Sequence, residues 1–302
     1  MAATPLDPQA AAYLARVAEL GIPPTHELSP AEGRRVFEEG AAALFGPVEE
    51  VREVADREVA GVPTRIYDPA PGERLPVLVY FHGGGWVIGS VDTHDGVGRA
   101  LANRARCRVV SVGYRLAPEH PFPAAVDDCW AVTRWAFDEA PQVAVAGDSA
   151  GGCLAAVMAL RARDAGLPLT FQLLVYPVLD HDFETASYRA NGEGFGLTRV
   201  GMRWYWDQYL AEGDRSVPDA SPLRAPNVSG VAPALVVVCG YDVLRDEGVA
   251  YFERLRQAGV PAKLSEYEGM PHGFIRQPAV IDRANDLLDE AGREIGEAFS
   301  SA

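Results

Sequence analysis

The spacing of apolar positions changes character along the chain and divides it into blocks. Residues 9–45 carry apolar side chains at helical spacing, interrupted by Gly21-Ile22-Pro23-Pro24. The second of these stretches opens on Ser29-Pro30-Ala31-Glu32, an N-cap followed by proline at the first helical turn, so two amphipathic helices are predicted. Strand-like patterning begins only afterwards. Residues 51–60 and 62–67 read as a hairpin around Gly61, and 76–81 (PVLVYF) is a continuous apolar run suited to a buried strand.

Alternation then sets in: strand 107–112, helix 124–137, strand 143–146, helix 150–163, strand 171–176. Apolar strands alternating with helices predict a mainly parallel sheet with helices on both faces. The rhythm breaks across 180–233, a stretch rich in Trp, Tyr and Gly. A structureless loop of that length is unusual in a compact domain, which favours an inserted helical element. Strand 234–239, helix 246–258, strand 262–267 and a last helix over 278–299 complete the pattern. The expected organisation is an eight-stranded core over 46–182 and 216–302, capped by helices from 1–45 and by an insertion at 183–215.

Composition narrows the class. The 302 residues are 48% hydrophobic and 23% charged, with no run of apolar residues long enough to span a bilayer, so a globular chain with a full core is expected. A net charge of −15 argues against nucleic acid and anionic lipid as partners, and favours a small neutral ligand. The four cysteines, Cys107, Cys129, Cys153 and Cys239, lie singly in apolar runs and suit a reducing cytoplasm. The N-terminus lacks a basic start followed by an apolar run, so no signal peptide is expected, and the sequon at Asn227-Val228-Ser229 is read as chance. Lys263 is the one lysine, a habitat or codon signature rather than a site. No metal-ligand or cofactor motif occurs, so neither is expected, and the chain is expected to be a monomer or homodimer.

The candidate chemistry sits at strand ends. Gly147-Asp148-Ser149-Ala150-Gly151 is a G-x-S-x-G directly after an apolar strand and before a helix. It could be a tight glycine turn with an incidental serine, but the context fits a strained strand-to-helix elbow that presents a nucleophile. A serine needs a histidine base held by a carboxylate. Of the six histidines only His272 lies beyond the final strand, and Asp242 lies two residues past strand 234–240, between serine and histidine in chain order. Asp246, followed by Glu247, is placed at a helix start, where it would meet the positive end of the dipole. His82-Gly83-Gly84-Gly85-Trp86 follows strand 76–81, and its glycines would let backbone amides crowd an oxyanion; the absence of a following Lys-Ser or Lys-Thr excludes a P-loop.

HGGGW at 82–86, YRLAPEHPFPAA at 114–125, GDSAGG at 147–152, DVLRDEG at 242–248 and MPHGF at 270–274 together resemble the bacterial hormone-sensitive lipase-like esterases. The resemblance implies an α/β-hydrolase fold with a helical cap and a carboxylesterase in which Ser149, Asp242 and His272 form the triad. It further implies an oxyanion hole from the amides of Gly84, Gly85 and Ala150. Val243 stands where the family often has proline, a departure expected to alter loop stiffness more than chemistry.

Arg115, Glu119 and His120 are expected to hold their loop beneath the site by ion pairs and hydrogen bonds. Asp127 and Asp128 are expected to favour the dipole of the following helix. Trp86, Asp148, Trp204 and Trp206 are the expected substrate contacts, the latter two on an aromatic helix of the insertion. The expected reaction is hydrolysis of small short-chain acyl esters. An amidase or formamidase, an acyltransferase, and a non-catalytic ligand receptor like the plant gibberellin receptors are the alternatives; those receptors lack the triad histidine that His272 supplies here.

Overall fold

Alternate residues of the central strands serve opposite faces of one sheet, and this period organises the molecule. In the computed structural model, which describes residues 4–301, β3 (Val77–Phe81) sends Val77, Val79 and Phe81 into one core, and Leu78 and Tyr80 into the other. Residues 1–3 of the expected first cap segment, and residue 302, lie outside the described residues.

Before the sheet come α1 (Pro8–Glu19) and α2 (Pro30–Phe45). The Asp7 side chain accepts from the amides of Gln9 and Ala10, and Ser29 and Glu32 form a reciprocal capping box on α2. β1 (Glu53–Val59) and β2 (Val62–Asp68) form an antiparallel hairpin. Ala60 (φ 51°) and Gly61 (φ 82°) both take positive φ in its two-residue turn, the geometry that matches strand twist.

The remaining strands are β4 (Arg108–Val112), β5 (Val143–Asp148), β6 (Leu169–Val175), β7 (Ala234–Tyr241) and β8 (Ala262–Pro271). The eight-stranded order is β1-β2-β4-β3-β5-β6-β7-β8, parallel from β4 onward and antiparallel at β1–β2 and β2–β4. Helices α4 (Ala124–Glu139), α5 (Ala150–Asp164) and α8 (Arg245–Gln257) bury apolar residues in one core. Helices α3 (Asp95–Ala105) and α9 (Arg283–Ser301) do so in the other. The eight strands fall where the apolar runs place them, and a sheet with helices on both faces is the observed α/β architecture.

Three differences have physical causes. α3 is absent from the expected pattern because Gly96 and Gly98 depress its helical signal; both are needed there, since a Cβ would strike the rings of Phe45 and Tyr67 respectively. β8 runs on to Pro271 instead of ending at 267, and so delivers His272 directly. The last helix starts at Arg283, after a turn begun by Pro278, rather than at 278.

The segment between β6 and β7 contains α6 (Ala186–Asn191) and α7 (Arg199–Leu210). After them the chain returns along α5 and α8, where Arg254 donates to the carbonyls of Leu223 and Ala225, and Arg163 to that of Asn227.

Candidate active site

Parallel strands deliver the loops after β3, β5, β7 and β8 to one edge of the sheet, and three chemically complementary side chains meet there. Ser149 stands between β5 and α5 with φ 58° and ψ −120°, a strained conformation for a residue with a side chain. Its neighbours explain how it is held. The Ser149 amide donates to the Val175 carbonyl at 2.9 Å, and its carbonyl accepts from Cys153 and Val178. Gly147 and Gly151 must be glycine because a Cβ at either would collide with a backbone carbonyl: Gly151 for the first, Phe81 for the second.

Nε2 of His272 lies 2.9 Å from Ser149 Oγ, and Nδ1 lies 2.7 Å from Oδ2 of Asp242. An ionised carboxylate only accepts, so Nδ1 carries the imidazole proton and Nε2 is left to accept from the serine hydroxyl. Asp242 is 1% exposed; its Oδ1 takes the Leu244 amide at 3.0 Å, and Asn191 on α6 donates to its carbonyl at 3.1 Å. The line of hydroxyl, imidazole and carboxylate can move a proton off serine. Asp246 is elsewhere: in the first turn of α8 it accepts from the Ser187 amide at 2.8 Å and so ties α6 to α8.

The glycine loop after β3 lies beside the serine. The amides of Gly84, Gly85 and Ala150 have no acceptor among the described residues. Gly84 (φ 122°) and Gly85 (φ 59°) occupy backbone conformations that other residues rarely adopt. A Cβ on Gly84 would strike the Ile88 carbonyl, and one on Gly85 the ring of Tyr205 on α7.

Asp148 anchors this loop from below. Its Oδ1 accepts from Tyr80 Oη at 2.6 Å and from the Gly83 amide at 2.9 Å, with His94 Nε2 at 3.4 Å. Burial opposes its charge, but His94, Tyr80 and Arg276 outweigh that and hold the carboxyl well below the usual range. His82 is pushed the other way: burial, with His94 next to it, lowers it to about 3, so it is neutral near pH 7. Its ring stacks on Tyr114 at 4.2 Å, with Nδ1 2.8 Å from the Gly83 carbonyl.

Beneath lies the expected network, with altered partners. Arg115 pairs with Asp128, whose carboxylate is thereby committed to an ion pair rather than to the helix dipole. Asp127 lies 3.6 Å from Arg161. Glu119 pairs with Arg34 of α2, which also donates to the carbonyls of Val87 and Ala117. His120 donates its backbone amide to the Leu116 carbonyl.

A cavity of about 390 Å³ opens over Ser149 and His272. Its wall comes from α1 and α2 (Leu14, Val17, Val36, Phe37) and from the segment leading into α7 (Leu197) with Tyr205. Three of the expected contacts are displaced from it. Trp86 stacks on Tyr209 at 4.1 Å and meets Trp206 edge-on at 5.2 Å, both tryptophans being fully buried. Trp204 packs against that core and the ring of Tyr205. None of the three lines the cavity, because α7 turns Tyr205 toward the glycine loop and Trp206 inward. Asp148 does line it, with its carboxylate committed to the loop.

A doubly covered parallel sheet with a strained serine at a strand-to-helix turn defines the α/β-hydrolase class. The sequence matches the α/β hydrolase fold family over residues 78–276. It is 43% identical over 260 residues to the esterase LipI of Mycobacterium tuberculosis, covering 80% of this chain and 81% of that one. It is 37% identical over 307 residues to an ethyl acetate hydrolase of Pseudomonas putida, covering 94% and 96%. An ester hydrolase from the metagenome of Lake Arreo superposes with a TM-score of 0.93 at 39% identity, over 98% of this chain and 100% of that chain. The chain belongs to the hormone-sensitive lipase-like carboxylesterases.

Proposed function

We propose that the chain hydrolyses short-chain carboxylic esters through an acyl-enzyme on Ser149. The observation that carries this is the continuous hydrogen-bonded line from Ser149 Oγ through His272 to Asp242, at 2.9 and 2.7 Å. His272 Nε2 takes the serine proton as Oγ bonds to the ester carbonyl carbon. The oxyanion that forms is held by the amides of Gly84, Gly85 and Ala150, which have no other acceptor among the described residues. Collapse breaks the bond to the alcohol oxygen, which leaves with the proton from His272. Water then attacks the acyl-enzyme with His272 again as base, releasing the acid and restoring Ser149. Asp242 keeps the imidazole in the tautomer with Nε2 free and stabilises its protonated form.

The cap, read as 1–45 and 183–215, sets the size of the substrate. Its walls leave about 390 Å³, near the lower end of the roughly 300–1,000 Å³ common for ligand sites. Among the described residues no helix is long and apolar enough to cross a membrane. The four cysteines are unpaired and buried, which supports a reducing, cytoplasmic setting.

The test is a series of p-nitrophenyl esters from acetate to palmitate, with mass spectrometry after organophosphate treatment. Activity should peak at short acyl chains, with label on Ser149. Ser149→Ala should fold normally and lose on the order of 10⁶ in kcat. A peak at palmitate, or label elsewhere, would refute the reading.

A further inference from the structure

One charge on the cavity wall has no part in the hydrolysis described above. Arg276 ends the single helical turn Phe274–Arg276 that follows His272, and it lines the cavity that holds Ser149. Its guanidinium carbon sits 4.0 Å from the ring centroid of Phe37 on α2. Among the described residues no oxygen accepts a hydrogen bond from its side chain, although a guanidinium carries five donors.

That condition is unusual in this chain. Among the described residues the other arginines whose side chains find neither a hydrogen-bond acceptor nor an ion-pair partner are Arg52, Arg74, Arg106, Arg134 and Arg189, and all five are exposed, where water serves their donors. Arg276 alone of the set is partly buried. Beside it, Gln277 also lines the cavity; it is 3% exposed, and among the described residues its side-chain amide makes no hydrogen bond.

The charged and titratable groups that share the wall are few. Asp148 is the one carboxylate there, and its Oδ1 already accepts from Tyr80 and the Gly83 amide, with His94 Nε2 3.4 Å away. Tyr13, His26, Tyr205 and His272 complete the set, and the remaining wall is apolar or neutral. A partly buried guanidinium whose donors meet no acceptor on the wall gains from a ligand that supplies one. Guanidinium donors match a carboxylate in fork geometry.

We propose that the cavity is selective for short esters that carry one carboxylate, with Arg276 holding that group and the side-chain NH2 of Gln277 donating to it while Ser149 attacks the ester carbonyl. This rests on the esterase reading and narrows its substrate class. It also runs against the neutral ligand expected from net charge, since a field of −15 acts at long range whereas the guanidinium acts at the site. The carboxylate can belong to the acyl part, as in a dicarboxylic acid monoester, or to the alcohol part, as in an ester of a hydroxy acid.

Two matched pairs separate these sources: monomethyl glutarate against methyl pentanoate, and butyryloxyacetate against propyl butyrate, followed by pH-stat titration near neutral pH. In the wild type, at least one anionic ester should exceed its neutral match about tenfold in kcat/KM. Arg276→Met should bring that ratio to about one or below, and Arg276→Lys should restore part of it. A structural role in stacking on Phe37 or offsetting Asp148 would lower the melting temperature and both members of a pair alike, leaving the ratio unmoved. A wild-type ratio near one in both pairs, or one that survives in Arg276→Met, overturns the proposal. The wild-type ratio decides even if the variant does not fold. Inactivity of the wild type on all the esters would instead overturn the esterase reading itself.

Discussion

Replacing Asp242 by asparagine tests the proton line with almost no change of shape. The Leu244 amide donates to Oδ1 at 3.0 Å, so the asparagine must put its carbonyl oxygen there. Its NH2 then occupies the place of Oδ2, 2.7 Å from His272 Nδ1. An amide NH2 donates, so Nδ1 must become the acceptor and the ring proton moves to Nε2. Nε2–H then faces Ser149 Oγ at 2.9 Å and cannot take its proton. The expected loss is on the order of 10⁴ in kcat, about 5 kcal/mol of transition-state stabilisation, with little change in KM. The melting temperature should hardly move, because the Asn191 bond goes to the carbonyl of residue 242 and survives. Asp246→Asn is the control: it weakens the acceptor for the Ser187 amide, costs about 1 kcal/mol of stability and leaves the rate within a few-fold. Steady-state rates on p-nitrophenyl butyrate and melting curves decide it. An Asp242→Asn enzyme within tenfold of wild type, or a folded but inactive Asp246→Asn, refutes the reasoning.

Further outcomes follow from burial and charge. His82, held at about 3 by burial and by His94, unfolds to a histidine near 6.5. The unfolded chain therefore binds the extra proton between those values. Its contribution to stability is full above about pH 6.5 and falls by up to about 1.4 kcal/mol per pH unit as pH drops toward 3. Urea titrations across that window should show His82→Gln losing close to one proton from the slope; an unchanged slope argues against it. Glu247 is raised well above the usual range, by burial first and then by Asp180. A raised acid stabilises below its unfolded pKa and loses that contribution as pH rises, so Glu247→Gln should gain roughly 1 kcal/mol at pH 8 and little at pH 4.5. Equal effects at both pH values would contradict this. Trp206→Ala should cost about 3–5 kcal/mol without changing acyl-chain preference, whereas Val36→Trp should shorten the preferred chain. Chain-length profiles of both variants check this, and the reverse pattern would return Trp206 to the pocket.

What was legible in the sequence follows from which physical signals are local. The central strands of this sheet are buried on both faces, so each is a short apolar run with turn residues around it; β1 and β8, at the edges, are partly exposed and could be read from the turn residues that bound them. Helix α5 was equally plain as an alanine-rich run. Helix α3 was hidden because its glycines answer to Phe45 and Tyr67, residues distant in sequence. Local propensity lost there to a packing requirement no window can contain.

The site divides along the same line. The positions now holding Ser149, Asp242 and His272 could be read because each is tied to the end of its own strand, and a parallel sheet brings such ends to one edge. The glycine loop was read as one motif, yet each glycine has its own cause. A Cβ on Gly83 would press into Asp148, one on Gly84 into the Ile88 carbonyl, and one on Gly85 into Tyr205. The last of these couples α7 to the loop: the segment that shapes the cavity also abuts the amides available to an oxyanion. The tryptophans were misplaced for a related reason. An aromatic helix of unknown rotation offers every face to a pocket, and only the contact of Tyr205 with Gly85 fixes which face is used. That rotation sends Trp206 against Trp86, and it leaves the cavity to smaller side chains from α1 and α2 and to Arg276, whose isolation appears only once every other arginine has been matched to an acceptor or to water.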